Sequence, residues 1–373
     1  MFADGTSTQY RGLGANIAGL NNTDALQKAG MDWKTIKLPL EIVGKRERRP
    51  SQFRSLVRSD NGVELGCCTD DYSPVHNYQL IEAMRAAAGS VNVVLDRAGT
   101  LDEGRRVWAI GTVPDSGFSL PVSPEWERRM QTPHGGDTSW VKGDATVLKI
   151  LVGSGHVPGM ALTIEFLAER LICTNGAKIS EQVGKFRMVH STRWDDDKRQ
   201  QVAAILDRSK SQFAVYEAKA RVMREVKMDR RESELAVIQL LQPKLLDDMV
   251  SQGRLTARVQ DPGEYGGGHE LINGYNAAGL LEEIVGRDER LITPDMFARS
   301  TNRVIELIPN QPGAAMAPNT VWNAFNAVTY YVDHERGRNA DSGLNAALFG
   351  EGAQVKRQAL DLMMEYADTL KAA

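Results

Sequence analysis

The sequence predicts an α+β protein, with an antiparallel sheet, a hairpin and packed helices, followed by a mostly helical C-terminal region. Short apolar runs alternate with turn residues over residues 36–113, as in β structure. The dipeptide Asn61-Gly62 is a strong hairpin signal. From about Trp194 onward, apolar residues recur at helical spacing, and residues 198–227 contain neither Pro nor Gly. This change in periodicity divides the chain into residues 1–190 and residues 191–373.

The composition is that of a globular protein. Of its 373 residues, 42% are hydrophobic and 25% are charged, which suits a chain of about two domains with a sizeable core. The net charge of −3 carries no overall positive excess, so any nucleic-acid-binding surface has to be local. Three cysteines are too few for a disulfide framework. With no secretory signal and no apolar stretch near the roughly 20 residues of a membrane span, we expect a cytoplasmic protein without membrane contact.

The strands are predicted from the alternation and from the turn residues between them. Residues 36–43, 53–57 and 63–68 form the first three, with Asn61-Gly62 as a type I′ turn between the last two. Leu80, Ile81 and Met84 then fall at helical spacing and predict a helix over residues 77–88 that Gly89 ends. Four prolines between residues 112 and 143 predict a long excursion. The remaining strands are expected at residues 91–95, 105–113, 145–152 and 160–166.

Helices dominate the second half of the predicted structure. Residues 198–227 predict one long helix or two shorter ones. Capping residues place further helices at residues 295–308, after Thr293-Pro294, and from Asn319-Thr320 to about His334. A last helix spans residues 353–370. The helix after Asn319 carries an apolar stripe, which is either core or a subunit interface, formed by Trp322, Phe325, Val328, Thr329 and Val332.

Motifs for catalysis are absent from the sequence. No Gly-Lys pair is followed by the Ser or Thr of a phosphate-binding loop, and no two histidines have metal-ligand spacing. The acidic pair Asp70-Asp71 is ordinary turn chemistry, and the three acidic residues at 195–197 suit the start of a helix. We therefore predict no catalytic residue, no metal and no cofactor.

A local excess of positive charge is the informative feature. From Glu41 to Arg58 there are six basic residues and two acidic ones, a local charge of +4. Further basic residues stand beside aromatic ones, as in a groove where cations neutralise phosphates and rings stack on bases. The same residues are also typical of edge strands whose charges keep a sheet soluble, which is the competing explanation. The candidate nucleic-acid-binding residues are Lys45, Arg46, Arg48, Arg49, Arg54, Arg58, Arg105, Arg106, Trp108, Lys185, Phe186 and Arg187.

Several segments resemble a phage- and plasmid-encoded family catalogued as domain of unknown function nine-three-two. They follow the family order over almost the whole chain and comprise residues 24–40 (DALQKAGMDWKTIKLPL), 65–79 (LGCCTDDYSPVHNYQ), 98–110 (AGTLDEGRRVWAI), 169–177 (ERLICTNGA) and 319–336 (NTVWNAFNAVTYYVDHER). The family name implies no activity.

The order of a hairpin, a helix, several strands and further helices also resembles the core of Rad-fifty-two-like single-strand annealing proteins. That resemblance implies a basic sheet that holds single-stranded DNA by its backbone and leaves the bases exposed for pairing. It implies annealing without ATP in a phage or plasmid recombination system. The implied partners are single-stranded DNA, further copies of the chain in a ring or filament, and an exonuclease.

Two other functions stay open at this stage. A metal-dependent nuclease or phosphodiesterase would use Asp70, Asp71 and either Glu82 or His76. A phage structural or anti-defence protein would act by contact with another protein. The basic hairpin favours the DNA-binding interpretation over both.

Overall fold

The chain forms two antiparallel sheets in a computed structural model, which describes residues 9–44, 47–89, 93–130, 143–156, 160–178, 186–188, 196–245 and 298–372. The larger sheet has the strand order β1-β5-β6-β7-β8-β10, with β9 paired to β8, and the smaller has the order β2-β3-β4. The strands are β1 (Ala15–Asn16), β2 (Thr35–Val43), β3 (Arg48–Arg58), β4 (Glu64–Thr69), β5 (Val94–Leu101), β6 (Arg106–Leu120), β7 (Asp144–Gly155), β8 (Leu162–Arg170), β9 (Asn175–Lys178) and β10 (Phe186–Met188).

Helices cover the larger sheet and fill most of the chain after β10. Those in the described residues are α1 (Asn22–Lys28), α2 (Asn77–Gly89), α3 (Pro124–Met130), α4 (Asp196–Glu225), α5 (Arg230–Leu241), α6 (Arg299–Asn310), α7 (Val321–Tyr330), α8 (Ala340–Phe349) and α9 (Glu351–Ala372). A π-helical turn, Tyr331–Glu335, continues α7. The predicted α+β class with a helical C-terminal region is confirmed. None of these helices combines the length and the apolar character that a membrane crossing requires.

Sheet and helices share one hydrophobic core. The ring of Phe118 on β6 lies 5.4 Å from that of Phe213 on α4, and Tyr216 on α4 lies 6.4 Å from Trp322 on α7. One continuous buried cluster runs from Ile17 to Ala367. The elements change from strands to helices between β10 and α4, and the division into two domains at residue 190 stays a prediction.

The hairpin between β3 and β4 is present, but its turn differs from the predicted type I′. Such a turn needs positive φ at both central residues, whereas only Gly62 of the Asn61-Gly62 pair has one, at 74°. The amide of Gly62 donates to the carbonyl of Arg58, and the amide of Val63 donates to the side-chain oxygen of Asn61. The loop is therefore longer than two residues, and the side chain of Asn61 stabilises it.

The proline-rich stretch predicted as an excursion is ordered β structure at its start. Strand β6 continues past Pro114 to Leu120 and pairs with β7 on both sides of an irregularity between Thr112 and Gly117. Proline is tolerated there because the ladder hydrogen bonds are already interrupted. Residues 131–142 of the stretch lie outside the described residues.

The apolar stripe of α7 is core. Trp322 and Val328 are fully buried, and Phe325, Thr329 and Val332 are each 1% exposed. The stripe contacts its own chain and is not available to a second subunit.

Candidate nucleic-acid interface

The smaller sheet extends into a two-stranded arm. Strand β4 pairs with β3 only as far as Phe53, which lies opposite Thr69. Beyond that point β2 and β3 continue together to the pair Val43–Arg48, where the amide of Gly44 donates to the carbonyl of Glu47 at 2.9 Å. We call residues 41–44 and 47–52 the arm. It arises because β2 and β3, with 9 and 11 residues, are longer than the 6-residue β4.

Solvent surrounds the arm on both faces. Every arm residue is exposed except Ser51, which is half-buried. The side chain of Arg48 is 76% exposed, and its nearest carboxylate, Glu41, is 3.9 Å away. Arg49 is exposed opposite Ile42. The arm therefore presents guanidinium groups that no buried contact holds in place.

Arg54 lies where the arm joins the sheet and binds Asp70 through two parallel hydrogen bonds. Its Nε lies 2.5 Å from one carboxylate oxygen, and its Nη2 lies 3.0 Å from the other. Lys37 on β2 donates to the backbone carbonyl of Asp70 at 2.6 Å. The hydrogen bond from Arg54 lowers the pKa of the Asp70 carboxyl, so this side chain stays ionised at neutral pH.

One face of the small sheet carries three exposed apolar side chains beside buried ones. Ile36, Leu38 and Phe53 are 42%, 46% and 44% exposed. Leu56 and Cys68, on the opposite face, are buried. Phe53 is thus an accessible ring on the face opposite that of Arg54, and sequence reasoning did not include it. The sequence offered one signal for Phe53, namely its neighbour Arg54, because a basic residue beside an aromatic one is the pattern that predicted the other candidates.

Arg58 makes contacts within the protein that hold its guanidinium in place. Its guanidinium lies 4.4 Å from the ring centroid of Trp33, and it binds both carboxylate oxygens of Asp60 and the carbonyl of Glu103. Only 13% of its side chain is exposed. Arg58 therefore holds the base of the sheet and does not join the arm surface.

The candidates at the start of β6 and just before it lie away from the arm. Arg105 pairs with Asp102, and Arg106 lies over the ring of Phe349 at 4.5 Å. Trp108 is fully buried and packs on Tyr10 with ring centroids 5.6 Å apart. Arg105 donates to the carbonyl of Glu64 at the start of β4, at the end of the small sheet away from the arm. Because β3 spans roughly 35 Å at about 3.3 Å per residue, most of that length separates Arg105 from the arm. Trp108 has no surface on which a base could stack.

The candidates near β10 are also separate from the arm. Phe186 is 4% exposed and pairs with Ile164 inside the larger sheet, while Arg187 is exposed at the edge of that sheet. Lys45, Arg46 and Lys185 lie outside the described residues. Of the described candidates, Arg48, Arg49 and Arg54 follow one another along β3, with Lys37 on the same face as Arg54 and Phe53 on the other face, while the remaining ones lie elsewhere.

The carboxylates of the nuclease alternative form no shared site. Both oxygens of Asp70 are bound by Arg54, Asp71 and Glu82 are exposed, and His76 stacks on Tyr78 with ring centroids 5.9 Å apart. Across the described part of the chain, no three His, Cys, Asp or Glu side chains are arranged to hold a metal ion. A cation at Asp70 would have to displace the guanidinium of Arg54.

Three groups of largely buried charges were not predicted from the sequence, and they centre on Lys149, Arg170 and Lys356. In the first, Lys149 lies 2.6 Å from Asp96 and 3.6 Å from Glu169, which also accepts the Tyr10 hydroxyl. Burial acts to lower the pKa of Lys149, but Glu169 and Asp96 outweigh it and raise that pKa. This lysine is therefore a cation that neutralises two carboxylates inside the sheet.

The second cluster joins the larger sheet to α7. Arg170 binds Asp144 through both oxygens at 2.5 and 2.7 Å, and the indole N–H of Trp322 donates to the same carboxylate at 2.8 Å. Asp144 is fully buried and Arg170 is 2% exposed. The second cluster therefore connects the sheet to a helix, whereas the first joins β5, β7 and β8 to the N-terminal segment that carries Tyr10.

The fold and the interface define an α+β protein with a projecting arm that carries the exposed arginines Arg48 and Arg49. The family model described as Domain of unknown function (DUF932) matches residues 64–349, more than half of the chain, so the protein belongs to this family. The match spans both the sheet and the helices, and the arm precedes it. No curated protein and no solved structure matches the chain significantly.

Proposed function

We propose that the protein binds single-stranded DNA through its arm and promotes annealing of complementary strands without ATP. The observation that carries this proposal is the arm itself, a two-stranded ribbon with exposed Arg48 and Arg49 and the exposed ring of Phe53 at its base. Guanidinium groups on a projecting ribbon suit the phosphate backbone, whose binding depends mainly on charge. An exposed ring adds sequence-tolerant stacking.

Annealing would be possible because the protein contacts the backbone of the strand and not the edges of its bases. Phosphate contacts fix the position of a strand without reading its sequence. Contacts concentrated on the backbone leave base edges free to pair with a second strand. As a component of a phage or plasmid recombination system, the protein would act in the cytoplasm as a ring or filament, together with an exonuclease that exposes single strands.

Charge reversal on the arm tests the binding step. We expect the double variant Arg48→Glu/Arg49→Glu to bind a fluorescent oligothymidylate more weakly than the unmodified protein, as measured by anisotropy across a salt series. Each phosphate contact contributes about −0.7 to the slope of log affinity against log salt, so the slope should become shallower by up to about 1.4.

The matched control places the same charge change elsewhere. Arg221→Glu/Arg230→Glu alters two exposed arginines on α4 and α5, each of which pairs with a carboxylate four residues away on its own helix. This control should keep most of the affinity. Equal losses in both variants, or none in the arm variant, would contradict binding through the arm. Shortening of the oligonucleotide in the presence of magnesium would favour the nuclease alternative.

A further inference from the structure

Two cations from neighbouring strands converge on Asp70. Arg54 reaches the carboxylate with Nε and Nη2 at 2.5 and 3.0 Å, and Lys37 reaches the backbone carbonyl of the same residue at 2.6 Å. Arg54 and Lys37 occupy β3 and β2 at the point where the arm begins. All the oxygens that these cations contact belong to one residue.

The contacts match those that a phosphodiester would make. The planar fork of arginine binds two oxygens of a carboxylate or of a phosphate in the same parallel geometry, and a lysine ammonium adds a point charge. The Asp70 side chain is 65% exposed, and that of Arg54 is 29% exposed, so solvent reaches the pair. Surface ion pairs contribute little net stability, so an incoming anion is able to replace this one.

Arg58, a second arginine of β3, forms an ion pair in which the guanidinium is covered. Arg58 also binds its carboxylate, Asp60, through Nε and Nη2, at 3.0 and 2.7 Å. Its guanidinium is covered by Trp33 and is further held by the carbonyl of Glu103. The two pairs therefore share their bonding geometry and differ in the access that an anion would have.

We propose that Arg54 and Lys37 form a phosphodiester-binding site at the base of the arm and that Asp70 occupies this site in the free protein. This inference rests on the proposed function. A bound strand running from Arg48 and Arg49 along the sheet would replace Asp70 at Arg54. Asp70 is then an internal competitor that lowers the affinity of the protein for single-stranded DNA.

The variant Asp70→Asn removes the competing charge while keeping the size of the side chain. We expect it to bind oligothymidylate roughly fivefold more tightly, the effect of about one surface charge contact, and to steepen the salt slope by about 0.7. Asp60→Asn is the matched control, since it removes one negative charge next to an arginine that is covered. It should leave the affinity and the slope close to those of the unmodified protein.

A double variant identifies the cation responsible. In Asp70→Asn/Arg54→Ala the gain should disappear, because the released guanidinium is no longer there. Thermal melting of each variant establishes that it is folded before binding is compared.

The outcomes separate this inference from the function on which it rests. An unchanged affinity in Asp70→Asn, or an equal gain in Asp60→Asn, would overturn the competitor role of Asp70, while the loss in Arg48→Glu/Arg49→Glu would still support binding by the arm. Failure of the unmodified protein and of Asp70→Asn to bind at low salt would overturn the proposed function itself.

Discussion

Asp144 is a carboxylate held inside the protein by one arginine and one tryptophan. Burial acts to lower the pKa of Arg170, but Asp144 outweighs it and raises that pKa, so the guanidinium stays charged. The indole N–H of Trp322 satisfies the same carboxylate. Because residues of β7, β8 and α7 meet in this cluster, it couples the sheet to the helices.

Removing the cation of this cluster should destabilise the whole protein. Arg170→Leu leaves the buried carboxyl of Asp144 without its ion-pair partner, and breaking a buried pair in this way typically costs about 3–5 kcal/mol in the free energy of unfolding. Denaturant unfolding followed by circular dichroism measures the change. Arg221→Ala, which breaks an exposed pair on α4, should cost less than about 1 kcal/mol and serves as the comparison. A loss in Arg170→Leu that is as small as the loss expected for Arg221→Ala would show that the buried pair contributes little to the free energy of unfolding.

Single residues also show where sequence reasoning stops. Trp108 and Phe53 both lie on strands beside arginines, yet Trp108 is fully buried and Phe53 is 44% exposed. The local pattern is the same in both cases. What differs is the layer on top: Trp108 lies under the N-terminal segment with Tyr10, and nothing in the described residues covers Phe53 to that extent. Burial of this kind depends on contacts between distant parts of the chain.

The arm illustrates the same limit for a secondary-structure element. Alternating residues predicted β2, β3 and β4, because period two is a local property of a strand. Whether two strands extend beyond a third depends on their unequal lengths, and the ends of strands are poorly marked in a sequence. The charge excess of the segment was predictable, whereas its projection from the core was not.

The π-helical turn after α7 is an element that periodicity alone does not reveal. His334 lies in this turn and donates from Nε2 to the carbonyl of Cys173 at 2.7 Å. Burial lowers the pKa of His334 below its ordinary value of 6.5. The ring is therefore neutral in the folded protein at a pH where the unfolded chain would already be protonated.

This difference predicts a pH dependence of stability. As the pH falls below about 6.5, the unfolded chain gains a proton that folded His334 does not take up, so the free energy of unfolding decreases. We expect His334→Gln to lose less stability than the unmodified protein between about pH 7.5 and about pH 5.5, as measured by denaturant unfolding at each pH. His76 shifts in the same direction, so part of the dependence should remain. An identical pH dependence in both proteins would contradict this role of His334.

At the scale of the molecule, the two sheets differ in how their edges end. The larger sheet ends in strands of two to four residues, β1 on one side and β9 and β10 on the other, which are too short to recruit another strand easily. The smaller sheet ends in β2, whose nine residues pair on one side only within the described chain. Next to this edge, the open face carries Ile36 and Leu38 of β2, whereas Phe53 lies one strand further in, on β3. An open edge next to an exposed apolar face is where a second copy of the chain would bind.

We therefore expect the protein to form a ring or filament whose subunits meet at the smaller sheet, and annealing to depend on that assembly. Light scattering coupled to gel filtration should give a mass that is a multiple of the 41.1 kDa chain. Leu38→Glu should lower that mass, and it should slow the ATP-independent pairing of complementary labelled strands, because a charge on the apolar face opposes its burial. Val215→Glu makes the same kind of change at a residue of α4 that is 45% exposed and should affect neither property.

A head-to-tail contact closes into a ring or grows as a filament. A single species with the mass of one chain at every concentration, with and without single-stranded DNA, would therefore contradict the assembly, and rapid annealing by that species would show that one subunit is sufficient.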